Sequence, residues 1–243
     1  QWMFQGILRF LGLAADPDSA LVPTDAAFLY PEHERPEIVN MVPADAVLVL
    51  DIGCATGALG LALKRSLPRA HVIGVEKDQR AARVARSRLD EVLCLDLDSL
   101  TERQIPGRYD VIICADVIEH LRDPERFLNL LAGLLTPDGC LILSVPNVRH
   151  WSVLGPLLVD DLFTYTDQGL LDRTHLHLFT RTELCRMLER SGWSLCELQS
   201  IEIPMPEELQ PILDCIGSLG GDVTRSQSLM NAFQFLIRAV RAG

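Results

Sequence analysis

The chain has 243 residues, of which 48% are hydrophobic, and it carries a formal net charge of −11. This length suits a single α/β domain with attached segments and is enough to bury a sizeable core. The excess of 33 acidic over 22 basic residues repels phosphate backbones, which argues against DNA or bulk RNA as a substrate.

Cysteine spacing and the length of the apolar runs bear on the cellular compartment. The seven cysteines form no Cys-x-x-Cys pair and lie mostly in apolar segments, which predicts free thiols without a disulfide framework or a zinc site. No apolar run is long enough to cross a bilayer, and no signal peptide is visible. We therefore expect a cytoplasmic protein. The chain begins at Gln1, which is consistent with a trimmed or partial product.

The first part of the chain, residues 1–43, is predicted to be an extension of helical and loop segments. Residues 1–13 are apolar at helical spacing, residues 16–36 are rich in proline, and a short helix follows at about 36–42. Packing against the core is the favoured interpretation of the first segment. The main domain is expected to occupy residues 44–243.

The main domain opens with an apolar run, Val47 to Leu50, followed by Asp51 and a glycine-rich turn. Such a continuous run is typical of a strand that is covered on both faces of a parallel sheet. Gly53 and Gly57 allow the backbone to turn sharply and to approach a ligand closely. A turn at the carboxyl end of such a strand is where open α/β sheets bind nucleotides.

Three further strands are each predicted to end in an acidic residue. The second strand ends at Glu76, which could accept hydrogen bonds from both ribose hydroxyls of a nucleotide cofactor. A helix capped by Asp78 follows, and then a short strand that leads to Asp96. The fourth strand, residues 109–115, continues into Asp116. Because the ends of parallel strands share one edge of the sheet, these acids are expected to line a single site.

The rest of the chain completes the predicted sheet. Its periodicity predicts helices at about 124–135 and 182–191 and strands at about 140–145, 193–203 and 232–240. A helical segment is expected between the last two strands. The final strand is expected to run antiparallel. The predicted fold is a Rossmann-like, seven-stranded, mostly parallel α/β sheet with an antiparallel last strand and helices on both faces.

The turn after Asp51 can be compared with two families of nucleotide-binding proteins. A dinucleotide fingerprint would need a glycine at Ala55, and the Tyr-x-x-x-Lys pair of short-chain dehydrogenases is missing. The run Val-Leu-Asp-Ile-Gly-Cys-Ala-Thr-Gly instead resembles the first motif of class I S-adenosylmethionine-dependent methyltransferases. Residues 116–121, Asp-Val-Ile-Glu-His-Leu, resemble the fourth-strand signature of the same family.

This resemblance implies S-adenosylmethionine as cofactor and S-adenosylhomocysteine as product. It assigns the methionine ammonium to the region of Asp51, the ribose to Glu76 and the adenine to Asp96 and Leu97. His120 is expected to pack over the adenosine. The positions implied to bind the cofactor are Asp51, Gly53, Cys54, Ala55, Gly57, Glu76, Lys77, Asp96, Leu97, Ala115, Asp116, Val117 and His120.

The segments after the fifth strand resemble a smaller group within this family. Residues 146–150 (Pro-Asn-Val-Arg-His) and 169–175 (Gly-Leu-Leu-Asp-Arg-Thr-His) resemble bacterial methyltransferases near the ubiquinone-pathway group. Relatives of that kind often accompany glycosyltransferases in cell-surface polysaccharide biosynthesis. The resemblance implies O-methylation of a small molecule or a carrier-linked glycan, with acceptor-side insertions at about 147–180 and 204–228. A homodimer or a glycosyltransferase partner is left open.

A hydroxyl acceptor must lose a proton, so a base with a pKa near neutral would help. His150 and His175 lie in segments expected to roof the cofactor, and they are the predicted catalytic residues; a structural, hydrogen-bonded histidine is the alternative for each. Asn147 and Arg173 are predicted to bind acceptor oxygens or a phosphate, although Arg173 could equally pair with Asp172. Oxygen ligands suited to Mg²⁺ occur nearby, but without defined ligand spacing, so no metal is predicted.

Two other hypotheses stay open from the sequence. One is a nicotinamide-dependent oxidoreductase built on the same sheet. The other is a non-catalytic, methyltransferase-like module that binds partner proteins. The intact acids and glycines favour retained cofactor binding, and the leading hypothesis is an S-adenosylmethionine-dependent methyltransferase.

Overall fold

The structure is a computed structural model that describes residues 33–242. The predicted helix at 1–13 and nearly all of the proline-rich segment lie outside the described residues. The helices and strands, in chain order, are α1 (Pro36–Val39), β1 (Leu48–Ile52), α2 (Ala58–Ser66), β2 (His71–Val75), α3 (Gln79–Ala85), β3 (Glu91–Leu93), β4 (Tyr109–Ala115), α4 (Pro124–Leu134), β5 (Leu135–Pro146), α5 (Trp151–Asp160), α6 (Arg181–Arg190), β6 (Trp193–Glu202), α7 (Gln210–Ser218), α8 (Val223–Asn231) and β7 (Ala232–Arg241).

The strands form one seven-stranded sheet in the order β3-β2-β1-β4-β5-β7-β6. The pairs from β3 to β5 are parallel. The last strand, β7, lies between β5 and β6 and is antiparallel to both. The predicted mostly parallel sheet with an antiparallel last strand is confirmed.

Alternate residues of the central strands contribute to two separate cores. Leu50 and Ile52 of β1 lie in a cluster with apolar residues of α4 and α6. Val49, directly before Leu50 in the chain, lies in a second cluster with residues of α1, α2 and α3. Successive side chains of a strand point to opposite faces, so helices cover both faces of the sheet, as predicted. This double cover explains why these strands are continuous apolar runs.

The clearest departure from the predicted elements concerns β5. The sequence predicts a turn at residues 137–139 before a strand begins at 140. The structure instead has one strand, Leu135–Pro146, whose pairing with β4 shifts register between Tyr109 and Val111. The turn-forming residues are therefore accommodated as an irregularity within the strand, next to the β4 backbone.

A third, smaller apolar cluster joins the helices that follow the sheet. It contains Trp151 of α5, Leu209, Leu213 of α7 and Met230 of α8. The predicted helical segment thus packs against the segment that follows β5. Within the described residues, no helix combines the length and the apolar character needed to span a membrane.

Gly139 provides a test of the irregular β5 segment. A Cβ at this buried position would lie 2.8 Å from the backbone oxygen of Tyr109. Because a backbone atom cannot move aside easily, Gly139→Ala should lower the free energy of unfolding by about 1–3 kcal/mol. Urea denaturation measures this change, with the exposed neighbour substitution Asp138→Ala as control. Equal stability of the two variants would contradict the described packing.

Candidate functional site

The acidic residues predicted at the strand ends do meet at one edge of the sheet. Asp51 and Glu76 lie at the carboxyl ends of the paired strands β1 and β2, and Asp116 directly follows β4 on the other side of β1. Asp96 follows β3, the outermost strand. The chain leaves β1 toward β2 on one side and reaches β4 on the other. This is the topological switch point at which open α/β sheets bind ligands.

The glycine-rich turn brings the ends of β1, β2 and β4 into contact. Gly53 has φ +69°, and a Cβ there would lie 2.8 Å from Cγ2 of Val117. Its N–H donates to the backbone oxygen of Val75 over 2.8 Å. Ala55 also has a positive φ, 47°, which is uncommon for a residue with a side chain. The turn is therefore held in its shape by contacts to both neighbouring strands.

Asp51 lies beneath this turn and is almost completely buried, with 2% exposure. Within the described part of the chain, its Oδ2 atom has no hydrogen-bond partner. Burial, and then the nearby charge of Glu76, raise the pKa of Asp51 to about 7. A buried, unpartnered carboxyl is costly to the protein alone. It suits a cationic or hydrogen-bond-donating group of a ligand.

Glu76 is held by the backbone on both sides. Its Oε2 accepts from the N–H of Ala55 (3.0 Å) and its Oε1 from the N–H of Asp78 (2.7 Å). Asp78 in turn caps α3, as predicted, by accepting from the N–H groups of Arg80 and Ala81. The carboxylate of Glu76 is thus fixed in position at the end of β2.

The predicted adenine-side residues lie further along the same edge. Asp96 and Lys77 are exposed, and Leu97 is partly buried. Asp96 Oδ1 accepts from the N–H of Asp98 over 3.2 Å, and it caps a short 3-10 turn that begins at Leu97. One carboxylate oxygen of Asp96 therefore has a turn-forming role, while the side chain stays open to a ligand.

Asp116 stands at the centre of a polar network that the sequence did not reveal. Its Oδ2 accepts from Arg35 Nη1 over 2.6 Å, and its Oδ1 accepts from Ser144 Oγ over 2.7 Å and from the amide of Gln234. Arg35 also donates to Ser144 and Gln234. The extension thereby joins the ends of β4, β5 and β7. Arg35 belongs to no recognisable motif, so nothing in the sequence marks it as a site residue.

Two histidine rings, from the segments after β4 and after α5, lie face to edge. The ring centroids of His120 and His175 are 4.7 Å apart. Nδ1 of His175 lies 3.1 Å from the backbone oxygen of Leu170, and Nδ1 of His120 lies 3.2 Å from that of Thr174. A carbonyl only accepts hydrogen bonds, so each Nδ1 carries the proton and each Nε2 the lone pair. Burial, and then the charge of His175, lower the pKa of His120.

Glu119 lies next to these rings. It is fully buried, and neither of its carboxylate oxygens has a hydrogen-bond partner among the described residues. Burial, and then the charge of Asp116, raise its pKa well above the usual range. One potential ligand atom from each of Glu119, His120 and His175 lies within 4.8 Å of the others. Among the described residues, these three groups lie closely enough together to hold a cation.

The side chains of His150 and Asn147 both make contacts that position neighbouring helices. His150 is fully buried, and its Nδ1 accepts from the N–H of Ser152 at the start of α5. The amide of Asn147 donates to the backbone oxygens of Leu229 (2.8 Å) and Ala232 (2.7 Å). These placements favour a helix-capping role for His150 and a role for Asn147 in fixing α8. Of the two predicted bases, only His175 lies beside His120.

Arg173 lies on the surface of the same segment. Its Nε is 2.7 Å from Asp167 Oδ1, and 60% of its side chain is exposed. It pairs with this aspartate rather than with Asp172, whose Oδ1 accepts from the N–H and the hydroxyl of Thr174. The guanidinium is at the surface, where a weak, solvated ion pair can be exchanged for another anion.

The geometry defines an α/β protein whose ligand site lies at the switch point of a mostly parallel sheet. A family model described as a methyltransferase domain matches residues 6–198. The chain therefore belongs to the class I S-adenosylmethionine-dependent methyltransferases. This assignment favours a methyltransferase over the nicotinamide oxidoreductase considered from the sequence.

Curated relatives of the chain include ubiquinone biosynthesis O-methyltransferases. The protein of that name from Aeromonas salmonicida is 30% identical over 159 residues, covering 63% of this chain and 65% of the relative. That from Coxiella burnetii is 28% identical over 160 residues, covering 63% and 66%. The chain thus spans just under two thirds of the length of these relatives.

Solved structures show the same fold. An S-adenosylmethionine dependent methyltransferase from Mesorhizobium loti is similar with a TM-score of 0.56 and 15% identity, covering 86% of this chain and 97% of that chain. The plantazolicin methyltransferase BpumL, solved in complex with SAH, has a TM-score of 0.55 and 18% identity, covering 82% and 77%. At these identities the likeness concerns the fold alone.

The buried His150 should make the stability of the protein depend on pH. Burial lowers the pKa of His150 to about 4, so the unfolded chain binds a proton that the folded chain does not. The contribution of the neutral His150 ring to the stability of the folded protein is therefore present above pH 6.5, and it is lost as the pH falls toward 4. Linkage gives a loss of about 2 kcal/mol between pH 7 and pH 5.

Urea denaturation at several pH values measures this loss. His150→Gln removes the titrating ring and should flatten the profile, whereas His33→Gln, at an exposed position, should leave it unchanged. An equally steep profile in His150→Gln would show that other groups titrate.

Proposed function

We propose that this protein transfers a methyl group from S-adenosylmethionine to a hydroxyl group of a small-molecule acceptor. The observation that carries the proposal is the buried, unpartnered carboxyl of Asp51 beneath a glycine turn, with further acids at the neighbouring strand ends. A dinucleotide pyrophosphate would be repelled there, whereas a ligand with an ammonium group would be stabilised. When bound, S-adenosylmethionine supplies a methyl group already activated by its positive charge.

Each group of proposed cofactor residues would contact a different part of S-adenosylmethionine. The turn from Gly53 to Gly57, with Cys54 and Ala55, would lie against the methionine part, above Asp51. Glu76 and Lys77 would face the ribose, and Asp96 and Leu97 the adenine. His120 would pack over the adenosine, and Ala115, Asp116 and Val117 would complete the cofactor site at the end of β4. The fixed position of Glu76, with both oxygens already hydrogen-bonded, supports a preformed site, because a carboxylate oxygen can accept further bonds from hydroxyls.

His175 is the proposed base for the acceptor. Its Nδ1 is tied to the carbonyl of Leu170, which leaves the lone pair on Nε2 available. An acceptor hydroxyl that donates to Nε2 would lose its proton to His175 as its oxygen takes the methyl group, and the electron pair of the broken carbon–sulfur bond would leave with S-adenosylhomocysteine. Alignment of the acceptor supplies most of the rate gain in such an in-line transfer, and the base adds to it.

The proposed class of methyl acceptor is supported by the names of the curated relatives. The curated relatives reported above are named as O-methyltransferases of ubiquinone biosynthesis, which supports a hydroxyl acceptor. The polysaccharide acceptor expected from the sequence has no support among them and stays a prediction. Arg173, at the surface of the acceptor-side segment, is the residue that we propose could bind an acceptor anion.

Labelled methyl transfer separates these options. The protein is incubated with methyl-labelled cofactor and a panel of phenolic hydroxyl and sugar-nucleotide acceptors. Transfer to a phenolic oxygen supports the proposal. Transfer to a sugar alone would show that the acceptor is a glycan and not the proposed small molecule. Binding of S-adenosylhomocysteine without transfer to any acceptor would favour the non-catalytic module. Tight binding of NAD without binding of S-adenosylhomocysteine would overturn the proposed cofactor.

Asp51 should link cofactor binding to proton release. With a pKa of about 7, about half of its carboxyl groups are protonated at neutral pH. A nearby ammonium stabilises the charged form, so binding of S-adenosylhomocysteine at pH 7 should release up to about half a proton. Calorimetry in two buffers of different ionisation enthalpy measures the release. Asp51→Asn should abolish it and weaken binding by about tenfold or more.

The matched control for this experiment is Asp45→Asn, because Asp45 is an exposed acid just before β1. It should bind and release protons like the unmodified protein. Proton release that persists in Asp51→Asn would place the titrating group elsewhere.

The role of His175 is tested on an acceptor that the panel identifies. His175→Gln keeps a hydrogen-bonding side chain but removes the base, so kcat should fall by about 10²–10⁴-fold. The Kd of S-adenosylhomocysteine should stay the same. The control is His177→Gln, whose ring stacks on Phe179 at a centroid distance of 5.9 Å. If both variants lose activity equally, His175 has no distinct role as a base.

A further inference from the structure

Helix α3 carries an unusual positive stripe on an acidic protein. Arg80 and Arg83 of the helix and Arg86 at its C-cap are spaced every third residue and are exposed, so they lie along one side of it. Six residues of helix span about 9 Å. The opposite face packs through Ala81, Ala82 and Ala85, which are at most 1% exposed. Since small residues hold the helix close to the sheet, the arginine face is fixed in orientation.

The three arginines have no ion-pair partner among the described residues. Within residues 33–242, no carboxylate lies at ion-pair distance from Arg80, Arg83 or Arg86. The neighbouring acids are used elsewhere. Asp78 caps the helix, and Asp90 binds Lys64 and the N–H of Val72.

Like charges at this spacing repel one another along a helix. An opposite charge placed along the stripe would remove that repulsion. This repulsion has no benefit on a surface that contacts only water. On a binding surface, the charges of the partner would relieve it.

We propose that this stripe is a docking surface for a short acidic segment of another protein. Charge complementarity is the basis, because three adjacent guanidinium groups match carboxylates at helical or extended spacing. Val84, 41% exposed, lies on the same face and offers one apolar contact. A nucleic acid fits less well, because its long backbone would extend over the rest of a surface whose net charge is −11.

Fluorescence anisotropy tests the proposal with three probes. They are a labelled twelve-residue peptide with six glutamates and a central leucine, the same peptide with glutamines, and a labelled single-stranded DNA of twenty nucleotides. The intact protein should bind the glutamate peptide at 50 mM salt and lose about tenfold in affinity at 200 mM salt. It should bind the glutamine peptide at least tenfold more weakly.

Two triple variants separate the stripe from overall charge. Arg80→Glu/Arg83→Glu/Arg86→Glu should reduce peptide affinity at least tenfold. The control reverses three exposed arginines elsewhere, Arg69→Glu/Arg103→Glu/Arg108→Glu, and changes the net charge by the same amount. It should stay within threefold of the intact protein. Both variants should keep the far-UV circular dichroism spectrum of the intact protein, which shows that they are folded.

Several results would overturn the proposal. An equal loss in both variants would mean that only net charge matters. Tighter binding of the DNA, lost in the stripe variant, would assign the surface to nucleic acid. Self-association at 50 mM salt that the stripe variant loses would assign it to a second copy of this chain. None of these results depends on whether the methyltransferase proposal holds.

Discussion

The backbone at Gly53 touches the ends of two neighbouring strands, and the rest of the site depends on that contact. Its N–H is bonded to Val75 of β2, while its missing side chain leaves room for Val117 after β4. Because the turn fits tightly between both strands, it covers Asp51 and positions the N–H of Ala55 for Glu76. The ligand edge of the sheet is thus assembled by close backbone packing before any side chain contributes its chemistry.

Two buried carboxyl groups then give the site its character. Asp51 lies below the glycine turn and Glu119 lies beside the two histidines, and both have oxygens without a partner within the described residues. Burying an unpaired polar group opposes folding, so such groups persist where a ligand completes them. The fold thereby reserves hydrogen-bonding capacity at two adjoining positions. One lies on the side proposed for the cofactor and the other on the side proposed for the acceptor.

Local signals account for the parts of the structure that the sequence predicted well. Apolar runs covered on both faces, the cap at Asp78 and the acids at the strand ends all depend on neighbouring residues, so the sheet could be predicted from them. Contacts between distant segments could not. Nothing near Arg35 indicates that it reaches Asp116, and nothing near His150 indicates that its ring would cap α5 and be fully buried. Histidine type and placement were therefore insufficient to choose between His150 and His175.

The position of β7 has a consequence for how the protein is made. This strand comes last in the chain order but lies inside the sheet, between β5 and β6. On a ribosome, β6 has emerged while its neighbour in the described sheet is still inside the exit tunnel, and one side of β5 stays unpaired for the same interval. Exposed strand edges are prone to wrong pairing. The register shift at Cys196 places an extra residue in β6, which makes it a poorer template for such pairing and suits a strand that must wait for its partner.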